Sequence, residues 1–446
     1  MSTSPSPSPG NTSPLRGFQV YVEELRALVA NAARGERPPG VDGSLRAAVD
    51  GQAAERLRRL VPLDALRRDG IFLTSSDLAQ RAVQPLLPTL DGGSVILDPT
   101  CGACDLLLAC LRALPEKPSL GKTLRAWERQ LLGRDLHPEL LEAARQRLLL
   151  AAVQRFPGRG LSKRTLERPL FPGIQRGCGL SRKIYDHATH LVMNPPFTSR
   201  PASEHCDWAS GQVNSAAVFL EHALRRTKAG TRIAAILPDV LRSGSRYRKW
   251  RQLVTRLAHV EHLEIGEQFN RWTDIHVFVL NLRVRKQAIV SREPSDSWSR
   301  SDGAMLLGDY FEVRVGPVVD YRDPHDGSEH PFIRSRDLPA WGNLARFSCT
   351  RYFSGTLITP PFIAVRRTSR PGDRHRAIGT LVTGKSPIAV ENHVICLIPL
   401  RGGQRRCKAA LRALRDSRTT EWLDQRIRCR HLTVRALAQL PWWSKA

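Results

Sequence analysis

The 446-residue sequence lacks a long apolar run and lacks matched groups of cysteines. No stretch reaches the roughly 20 apolar residues that a membrane-spanning helix needs. The amino terminus also lacks the basic-then-apolar order of a signal peptide. The nine cysteines are scattered, with one isolated Cys101-x-x-Cys104 pair, which argues against a zinc site and a disulfide framework. We therefore expect a cytoplasmic protein with reduced thiols, no bound metal and no membrane partner.

Acidic residues are scarce relative to basic ones. The chain has 68 Lys and Arg against 42 Asp and Glu, a formal net charge of +26, which favours an anionic partner such as nucleic acid. The charge is uneven, because residues 331–446 carry 22 basic and 6 acidic residues, a net charge of +16. Within this segment we expect phosphate or base contacts from five clustered arginines: Arg366, Arg367, Arg370, Arg374 and Arg376.

Changes in composition divide the chain into four predicted segments. Residues 1–16 are rich in Ser, Pro, Thr and Gly and cannot bury enough apolar surface to fold, so they form a disordered tail. Apolar residues at helical spacing predict a helical arm over 17–69. Alternating strands and helices over 70–288 predict an α/β sheet with helices on both faces. A polar linker, Ser291–Gly303, then leads into a strand-rich, basic region within 289–446.

The stretch Asn194-Pro195-Pro196-Phe197 is the most informative part of the sequence. The apolar run Leu191–Met193 predicts a buried strand, and a central strand cannot continue through two prolines. Asn194 is therefore expected at the carboxyl edge of a sheet, where open α/β sheets bind ligands. The Asn side chain and the free proline carbonyls can accept hydrogen bonds from an amino group while a ring stacks on Phe197. A strand-terminating turn is the alternative.

Two earlier strands predict the rest of a ligand site. Strand Ser94–Leu97 is followed at once by Asp98-Pro99-Thr100-Cys101-Gly102 and an apolar helix, an order that cradles nucleotide-like ligands. The next strand, Leu131–Asp135, ends in an acid, and a carboxylate at that position commonly accepts hydrogen bonds from ribose hydroxyls. Upstream, Ser75 or Ser76 can cap a helix amino terminus that faces a ligand carboxylate.

These motifs, in this order, resemble those of the adenine-specific N6 DNA methyltransferases in which the catalytic domain precedes a target-recognition region. Gly70-Ile71-Phe72-Leu73-Thr74 is similar to the amino-terminal S-adenosylmethionine motif, Asp98–Gly102 to the main cofactor loop, and Asn194–Phe197 to the catalytic motif. The match covers about residues 65–285. The resemblance implies a Rossmann-like class I methyltransferase sheet, with an N-terminal helical arm and a C-terminal mixed α/β DNA-recognition domain.

The resemblance also implies the site residues. The catalytic residues would be Asn194, Pro195, Pro196 and Phe197. S-adenosylmethionine would be bound by Phe72, Thr74, Asp98, Pro99, Thr100, Cys101, Gly102, Asp135 and Cys178. Two positions depart from the family. Cys104 stands where a second small residue is usual, and Cys178 where an Asp normally contacts the adenine of the cofactor. Because a thiol is a poorer acceptor, that change could cost about 1–3 kcal/mol of binding.

The function predicted from these residues is methyl transfer from S-adenosylmethionine to the N6 amino group of adenine in double-stranded DNA. The expected context is bacterial restriction-modification or defence, with specificity or defence-system subunits as further partners. Three alternatives stay open: an RNA base methyltransferase, a protein glutamine methyltransferase (which usually has Tyr at the position of Phe197), and a catalytically weakened DNA-binding or subunit protein. The sequence shows neither a nuclease cluster of the Asp…Glu-x-Lys type nor a P-loop lysine motif, so restriction and translocation are not predicted.

Overall fold

The computed structural model of the protein describes residues 13–34, 41–162, 165, 167–270, 273–287, 305–428 and 430–443. The chain forms two compact units. Unit 1 comprises residues 1–238, 249–266 and 278–294, and unit 2 comprises residues 239–248, 267–277 and 295–446. No helix in the described ranges combines the length and the apolar character needed to cross a membrane.

Helices and strands alternate through most of the first 284 residues. The helices are α1 Gln19–Ala33, α2 Val41–Val49, α3 Gln52–Leu60, α4 Leu63–Asp69, α5 Ser76–Val83, α6 Asp105–Cys110, α7 Leu120–Gln130, α8 Pro138–Arg155, α9 Ser215–Arg226, α10 Asp239–Ser243 and α11 Arg248–Leu257. The strands are β1 Ile96–Asp98, β2 Leu131–Asp135, β3 Ile174–Arg176, β4 His190–Met193, β5 Ser199–Pro201, β6 Gln212–Asn214, β7 Arg232–Pro238, β8 Ala258–Asn270 and β9 Thr273–Val284.

Seven of these strands form one sheet in the order β3-β2-β1-β4-β7-β9-β8. Strands β3, β2, β1, β4 and β7 are parallel to one another. Strands β1 and β4 are buried at every residue, as expected for parallel strands covered on both faces. The chain leaves β1 towards β2 and returns at β4, so the order reverses between β1 and β4, where α/β sheets bind ligands. The predicted mixed α/β fold with a parallel central sheet is confirmed.

A buried arginine of helix α8 joins the N-terminal helices to the rest of unit 1. Helices α1 and α2 pack on α8. From α8, the fully buried Arg147 donates hydrogen bonds to Ala48 O at 2.7 Å and Val49 O at 3.2 Å, the last carbonyls of α2. The last carbonyls of a helix have no intrahelical donor, and here the guanidinium of Arg147 donates to them instead. The helical arm predicted from 17 to 69 is therefore present, although its second half is divided among the three short helices α2, α3 and α4.

Unit 2 is built on a five-stranded sheet with the order β10-β17-β14-β15-β12 and a three-stranded sheet with the order β13-β11-β16. The strands are β10 Phe311–Val315, β11 Ser328–Ile333, β12 Asn343–Leu344, β13 Thr350–Phe353, β14 Phe362–Arg366, β15 Gly379–Val382, β16 Ala389–Val390 and β17 Val394–Pro399. The helices are α12 Gly403–Arg415, α13 Ser417–Arg426 and α14 Val434–Ala438.

The five-stranded sheet is covered on both faces. In β14, Ile363 and Val365 join the apolar cluster that includes the helices, while Phe362 and Ala364 join a second cluster on the opposite face. This is the two-residue alternation of a strand. The C-terminal mixed α/β architecture is thereby confirmed, whereas its part in DNA recognition stays a prediction.

Several predicted boundaries differ from the structure or fall outside it. Residues 1–12 of the predicted tail and the linker Ser291–Gly303 lie outside the described residues, and Leu15, predicted within the tail, is fully buried. The polar segment that follows the Asn-Pro-Pro-Phe motif begins and ends in the paired strands β5 and β6. Helix α7 and strand β3 were not predicted. The four domain limits stay predictions.

Candidate functional site

Four parallel strands bring polar residues to one edge of the sheet of unit 1. Asp98 is the last residue of β1 and Asp135 the last of β2, while Cys178 and Asn194 follow β3 and β4 closely. Since these strands are adjacent and parallel, their carboxyl ends lie side by side. All four residues line one cavity, which holds about 800 Å³ of empty space including its open mouth. That volume lies within the range of pockets for small ligands and cofactors.

The carboxyl group of Asp98 is buried at the floor of this cavity. It is 2 % exposed, and one oxygen accepts a hydrogen bond from the Thr100 N–H at 2.9 Å. Burial raises the pKa of Asp98 to about 8, because the charged form loses its hydration. The neighbouring acids Asp135 and Asp105 act in the same direction. A cationic ligand in the cavity would stabilise the carboxylate form.

Asp135 is held by backbone donors on both oxygens. The N–H of Gly102 donates to Oδ2 at 3.0 Å and the N–H of His137 to Oδ1 at 2.9 Å. Burial raises the pKa of Asp135 and these hydrogen bonds oppose the shift. A carboxylate has about four acceptor positions, so capacity is left for ligand hydroxyls. The bond to Gly102 also ties the end of β2 to the loop after β1.

The amide of Asn194 has a defined orientation. Its Nδ2 donates to Thr74 Oγ1 at 2.9 Å and to the carbonyl oxygen of Phe72 at 3.4 Å. A carbonyl can only accept, so the nitrogen of the amide must face Phe72. Oδ1 forms no hydrogen bond within the described part of the chain, so this acceptor is available to a ligand.

The loop after β4 is held closely by its neighbours. Asn214, the N-cap of α9, donates from Nδ2 to the carbonyl of Phe197 at 3.0 Å and accepts from the N–H of Ala216. Gly70 lies against Pro196, and a Cβ there would come within 2.6 Å of Thr198 Cγ2. These contacts position the Asn-Pro-Pro-Phe segment between the Gly70–Thr74 segment and α9.

The cavity collects most of the predicted site residues. Every predicted cofactor residue lines it: Phe72, Thr74, Asp98, Pro99, Thr100, Cys101, Gly102, Asp135 and Cys178. Asn194 and Pro196 line it as well, whereas Pro195 and Phe197 do not. Pro195 is buried and Phe197 is half-buried. The motifs therefore converge in space, while the chemical roles of these residues stay predictions.

Some lining residues were not predicted. Leu106 and Phe219 form apolar walls, and Leu136, which is 58 % exposed, lies beside Asp135. Because Leu136 directly follows the acid at the end of a predicted strand, the sequence could have placed it in the ligand site. Phe219 lies on α9, where its helical spacing is that of any core residue, so the sequence does not distinguish it. Asn214 before an apolar helical run is a recognisable N-cap.

The two departures from the family pattern occupy different environments. Cys104 is fully buried and has φ +67°, a left-handed conformation that favours glycine, which explains why a small residue is usual at this position. Cys178 is exposed at the rim of the cavity. Among the residues that the structure describes, no three His, Cys, Asp or Glu side chains are grouped as metal ligands.

The predicted DNA-contacting arginines of unit 2 do not form one surface. Arg376 is fully buried, and its guanidinium pairs with Asp424 and donates to Ser369 Oγ at 3.0 Å and Ile427 O at 3.1 Å. The prediction that Arg376 contacts DNA is therefore wrong in this structure, because its side chain is buried and donates to groups inside unit 2.

The other four arginines of this cluster divide into two pairs. Arg366 donates to the Leu338 carbonyl and Arg367 to the Asn392 carbonyl at 3.2 Å, so both are partly occupied by internal contacts. Two are exposed on the surface of unit 2: Arg370 and Arg374. The prediction for these four stays untested, and its strength now depends on the exposed pair.

A family model and several solved structures match the chain. The model of N-6 DNA methylases matches residues 57–294, more than half of the sequence. No curated protein matches. The type IIL restriction-modification enzyme MmeI, solved in complex with DNA, is similar with a TM-score of 0.54 and 12 % identity, covering 86 % of this chain and 70 % of that one.

A second structural match is a modification subunit assigned to a type I restriction enzyme of Vibrio vulnificus YJ016. It is 16 % identical with a TM-score of 0.40, covering 53 % of this chain and 49 % of that one. The chain thus spans about half the length of that subunit. At these identities the likeness concerns the fold alone.

Proposed function

Since the chain belongs to the N-6 DNA methylase family, we propose that it transfers the methyl group of S-adenosylmethionine to the N6 amino group of adenine in double-stranded DNA. The observation that carries the proposal is the orientation of the Asn194 amide, whose Nδ2 is engaged by Phe72 and Thr74 and whose Oδ1 is left as an acceptor at the cavity.

The cavity residues fit S-adenosylmethionine. The buried carboxyl of Asp98 is suited to a cationic ligand, because burial destabilises its charged form by more than the hydrogen bond from Thr100 restores. Asp135 offers acceptor positions for ribose hydroxyls, and Leu106 and Phe219 offer apolar contact for a base. When bound, the cofactor supplies an electrophilic methyl group on a positively charged sulfur. Cys178 is the weak point of the fit, since a thiol accepts poorly from an amino group.

Asn194 would act on the nucleophile. The amino nitrogen of adenine is unreactive because its lone pair is delocalised into the ring. Oδ1 of Asn194 and the carbonyl of Pro195 would accept hydrogen bonds from the amino hydrogens, which draws the nitrogen towards tetrahedral geometry and frees the lone pair. The nitrogen becomes positively charged as the N–C bond forms and the C–S bond breaks. The same acceptors stabilise that charge until a proton leaves to solvent.

The target adenine would leave the duplex to reach this acceptor. Extrusion of a base costs a few kcal/mol, and stacking on an aromatic side chain offsets part of that cost. Phe197 is the aromatic residue of the segment, and Asn214 fixes its backbone. We propose Phe197 as the stacking partner.

The biological context is also a proposal. Family membership and the resemblance of the motifs support restriction-modification or a related defence role. Specificity or defence-system subunits are proposed as further partners on the same grounds.

The proposal is tested by replacing Asn194. Asn194→Ala removes the acceptor, and we expect methyl transfer to adenine-containing duplexes to fall by at least about 10²-fold, with cofactor affinity within about threefold of wild type, because the interaction belongs to the transition state.

Asn194→Asp is the second variant. It retains an acceptor oxygen but replaces the Nδ2 donor by an oxygen that faces the Phe72 carbonyl, so it should keep more activity than the alanine variant and less than wild type. Single-turnover kinetics and calorimetric cofactor titration separate the two effects. Undiminished transfer by Asn194→Ala would contradict the proposed chemistry.

A further inference from the structure

The five-stranded sheet of unit 2 is covered on one face by a helix without acidic residues. Helix α12 has the sequence GQRRCKAALRALR and runs from Gly403 to Arg415. It packs on strands β14 and β15. Cys407, Ala410 and Leu414 are its buried residues in the adjoining apolar cluster, at the spacing i, i+3, i+7 of one helical face.

Four cations occupy the opposite face. At 100° per residue, the four cations lie in an arc of about 80°, and the centre of this arc is about 150° away from the centre of the three buried residues. All four are exposed: Arg405, Lys408, Arg412 and Arg415. We call these four residues the basic face of α12.

The basic face is not neutralised inside the protein. Among the described residues, none of its four cations forms an ion pair with an acid, whereas Arg418, just beyond the helix, pairs with Asp416. Arg415 lies over the ring of Trp341 at 5.9 Å, a contact that leaves its charge in place. Four like charges on one face repel one another, so an anionic partner would relieve the repulsion.

We propose that the basic face of α12 binds the phosphate backbone of the duplex DNA on which the enzyme acts. This inference rests on the proposed function, because it assigns a surface to the substrate named there. From Arg405 to Arg415 the helix rises about 15 Å. Each strand of a duplex carries one phosphate per 3.4 Å of helix axis, so phosphates of the duplex backbone lie within reach along this length.

The principal DNA contact then lies on the basic face of α12 and not within residues 366–376. In that segment Arg376 is buried and Arg366 and Arg367 donate to internal carbonyls. On α12 the cations are exposed, regularly spaced and without acidic neighbours on the helix. A rigid helix also fixes their spacing, which a loop does not.

Unit 1 offers a matched control helix. Helix α7 carries Lys122, Arg125 and Arg129, all exposed, with the same spacing i, i+3, i+7 as Arg405, Lys408 and Arg412. Each set holds one lysine and two arginines. Helix α7 leads directly into the amino end of β2, the edge of the sheet opposite the candidate site, so we expect no DNA contact there.

The test compares two triple variants of the full-length protein, R405Q/K408Q/R412Q and K122Q/R125Q/R129Q. Duplex affinity is measured by fluorescence anisotropy across a salt series, with cofactor titration and thermal unfolding as checks on folding. Each phosphate contact contributes about 0.9 to the slope of log affinity against log salt. We expect the α12 variant to lose about 2–3 from this slope and roughly 10- to 100-fold in affinity at 150 mM salt, while the α7 variant stays within twofold of wild type.

Each outcome decides between the possibilities. If the α12 variant keeps the wild-type slope and affinity while wild type binds and methylates DNA, the inference is wrong and the proposed function stands. The same result is expected if the basic face serves an acidic protein surface.

Equal losses in both variants would show unspecific attraction by net charge and would overturn the assignment to α12. If wild type neither binds nor methylates duplex DNA, the proposed function fails first. If the triple variant unfolds, R405Q/R412Q is used, with an expected loss of about 1.8 in slope.

Discussion

The sheet of unit 1 and the five-stranded sheet of unit 2 display their polar groups differently. In unit 1, acids and amides follow the ends of adjacent parallel strands and face one concave cavity. In unit 2, both faces of the sheet are apolar, and four exposed cations share the outer face of α12. A concave edge suits a small ligand that must be surrounded, whereas a convex basic helix suits an extended anion.

The two units nevertheless use buried arginine in the same way. Arg147 in unit 1 and Arg376 in unit 2 are both fully buried, and each pairs with one aspartate and donates to at least one backbone carbonyl. Arginine has five donors, so it can join several chain segments at once. A basic composition is therefore ambiguous, because some of its arginines hold the fold together and only the remainder are available to a partner.

The largest expected effect is on stability. Arg147→Met leaves the Asp105 carboxylate, 6 % exposed, without its partner at 2.8 Å. Breaking a buried pair in this way costs about 3–5 kcal/mol. Arg376→Met should cost less, because Asp424 is 22 % exposed and can recover some hydration. Chemical denaturation of both variants tests the order, and an Arg376→Met variant that is less stable than Arg147→Met would contradict it.

Much of unit 1 was predictable from sequence and little of the arrangement of unit 2 was. Residues placed after predicted parallel strands, such as Asp98, Asp135 and Asn194, had to meet, because strand ends in such a sheet share an edge. The orientation of the Asn194 amide depends on the Phe72 carbonyl 122 residues away, which no local pattern encodes. The burial of Arg376 depends likewise on Asp424. The spacing of the α12 cations is visible in the sequence, but the sequence alone does not show that this face of the helix is exposed.

Cofactor affinity should depend strongly on Asp98 and on pH. Burial raises the pKa of Asp98 to about 8, so a cationic ligand must displace a proton below that pH. Affinity should therefore rise with pH up to about 8 and level off above it, by about tenfold from pH 6.5 to 8.5.

Asp98→Asn keeps the shape but cannot ionise. It should bind about 10- to 100-fold more weakly at pH 8.5, the value of a charged hydrogen bond, and its affinity should not vary with pH in this range. Calorimetry at four pH values provides the measurement. A flat wild-type profile would refute the role assigned to this carboxyl.

The exposed pair in the 366–376 cluster should have a smaller effect than the basic face of α12. R370Q/R374Q removes at most two phosphate contacts, a change of about 1.8 in salt slope. We expect a change in salt slope smaller than this maximum and a loss of affinity of less than about tenfold, both measured in the same anisotropy series. A loss larger than that of R405Q/K408Q/R412Q would return the principal DNA contact to this cluster.

The smallest expected effect is a gain. Cys178→Asp places a carboxylate at the rim of the cavity, where it could accept from the amino group of the cofactor adenine. One such hydrogen bond contributes about 0.5–1.5 kcal/mol, so cofactor affinity should rise about two- to tenfold. Cys178→Ser is the control, since it adds only a hydroxyl. Unchanged or weaker binding by Cys178→Asp would count against the alignment of this segment with the family.

The most direct test of the account is to identify the methylated nucleoside. Purified protein is incubated with duplex DNA and S-adenosylmethionine carrying a deuterated methyl group, and the digested nucleosides are resolved by mass spectrometry. The account predicts deuterated N6-methyladenine as the labelled product with wild type and its loss with Asn194→Ala. Label on another nucleoside, or equal N6-methyladenine from both proteins, would contradict the claim that Asn194 directs methyl transfer to adenine at this site.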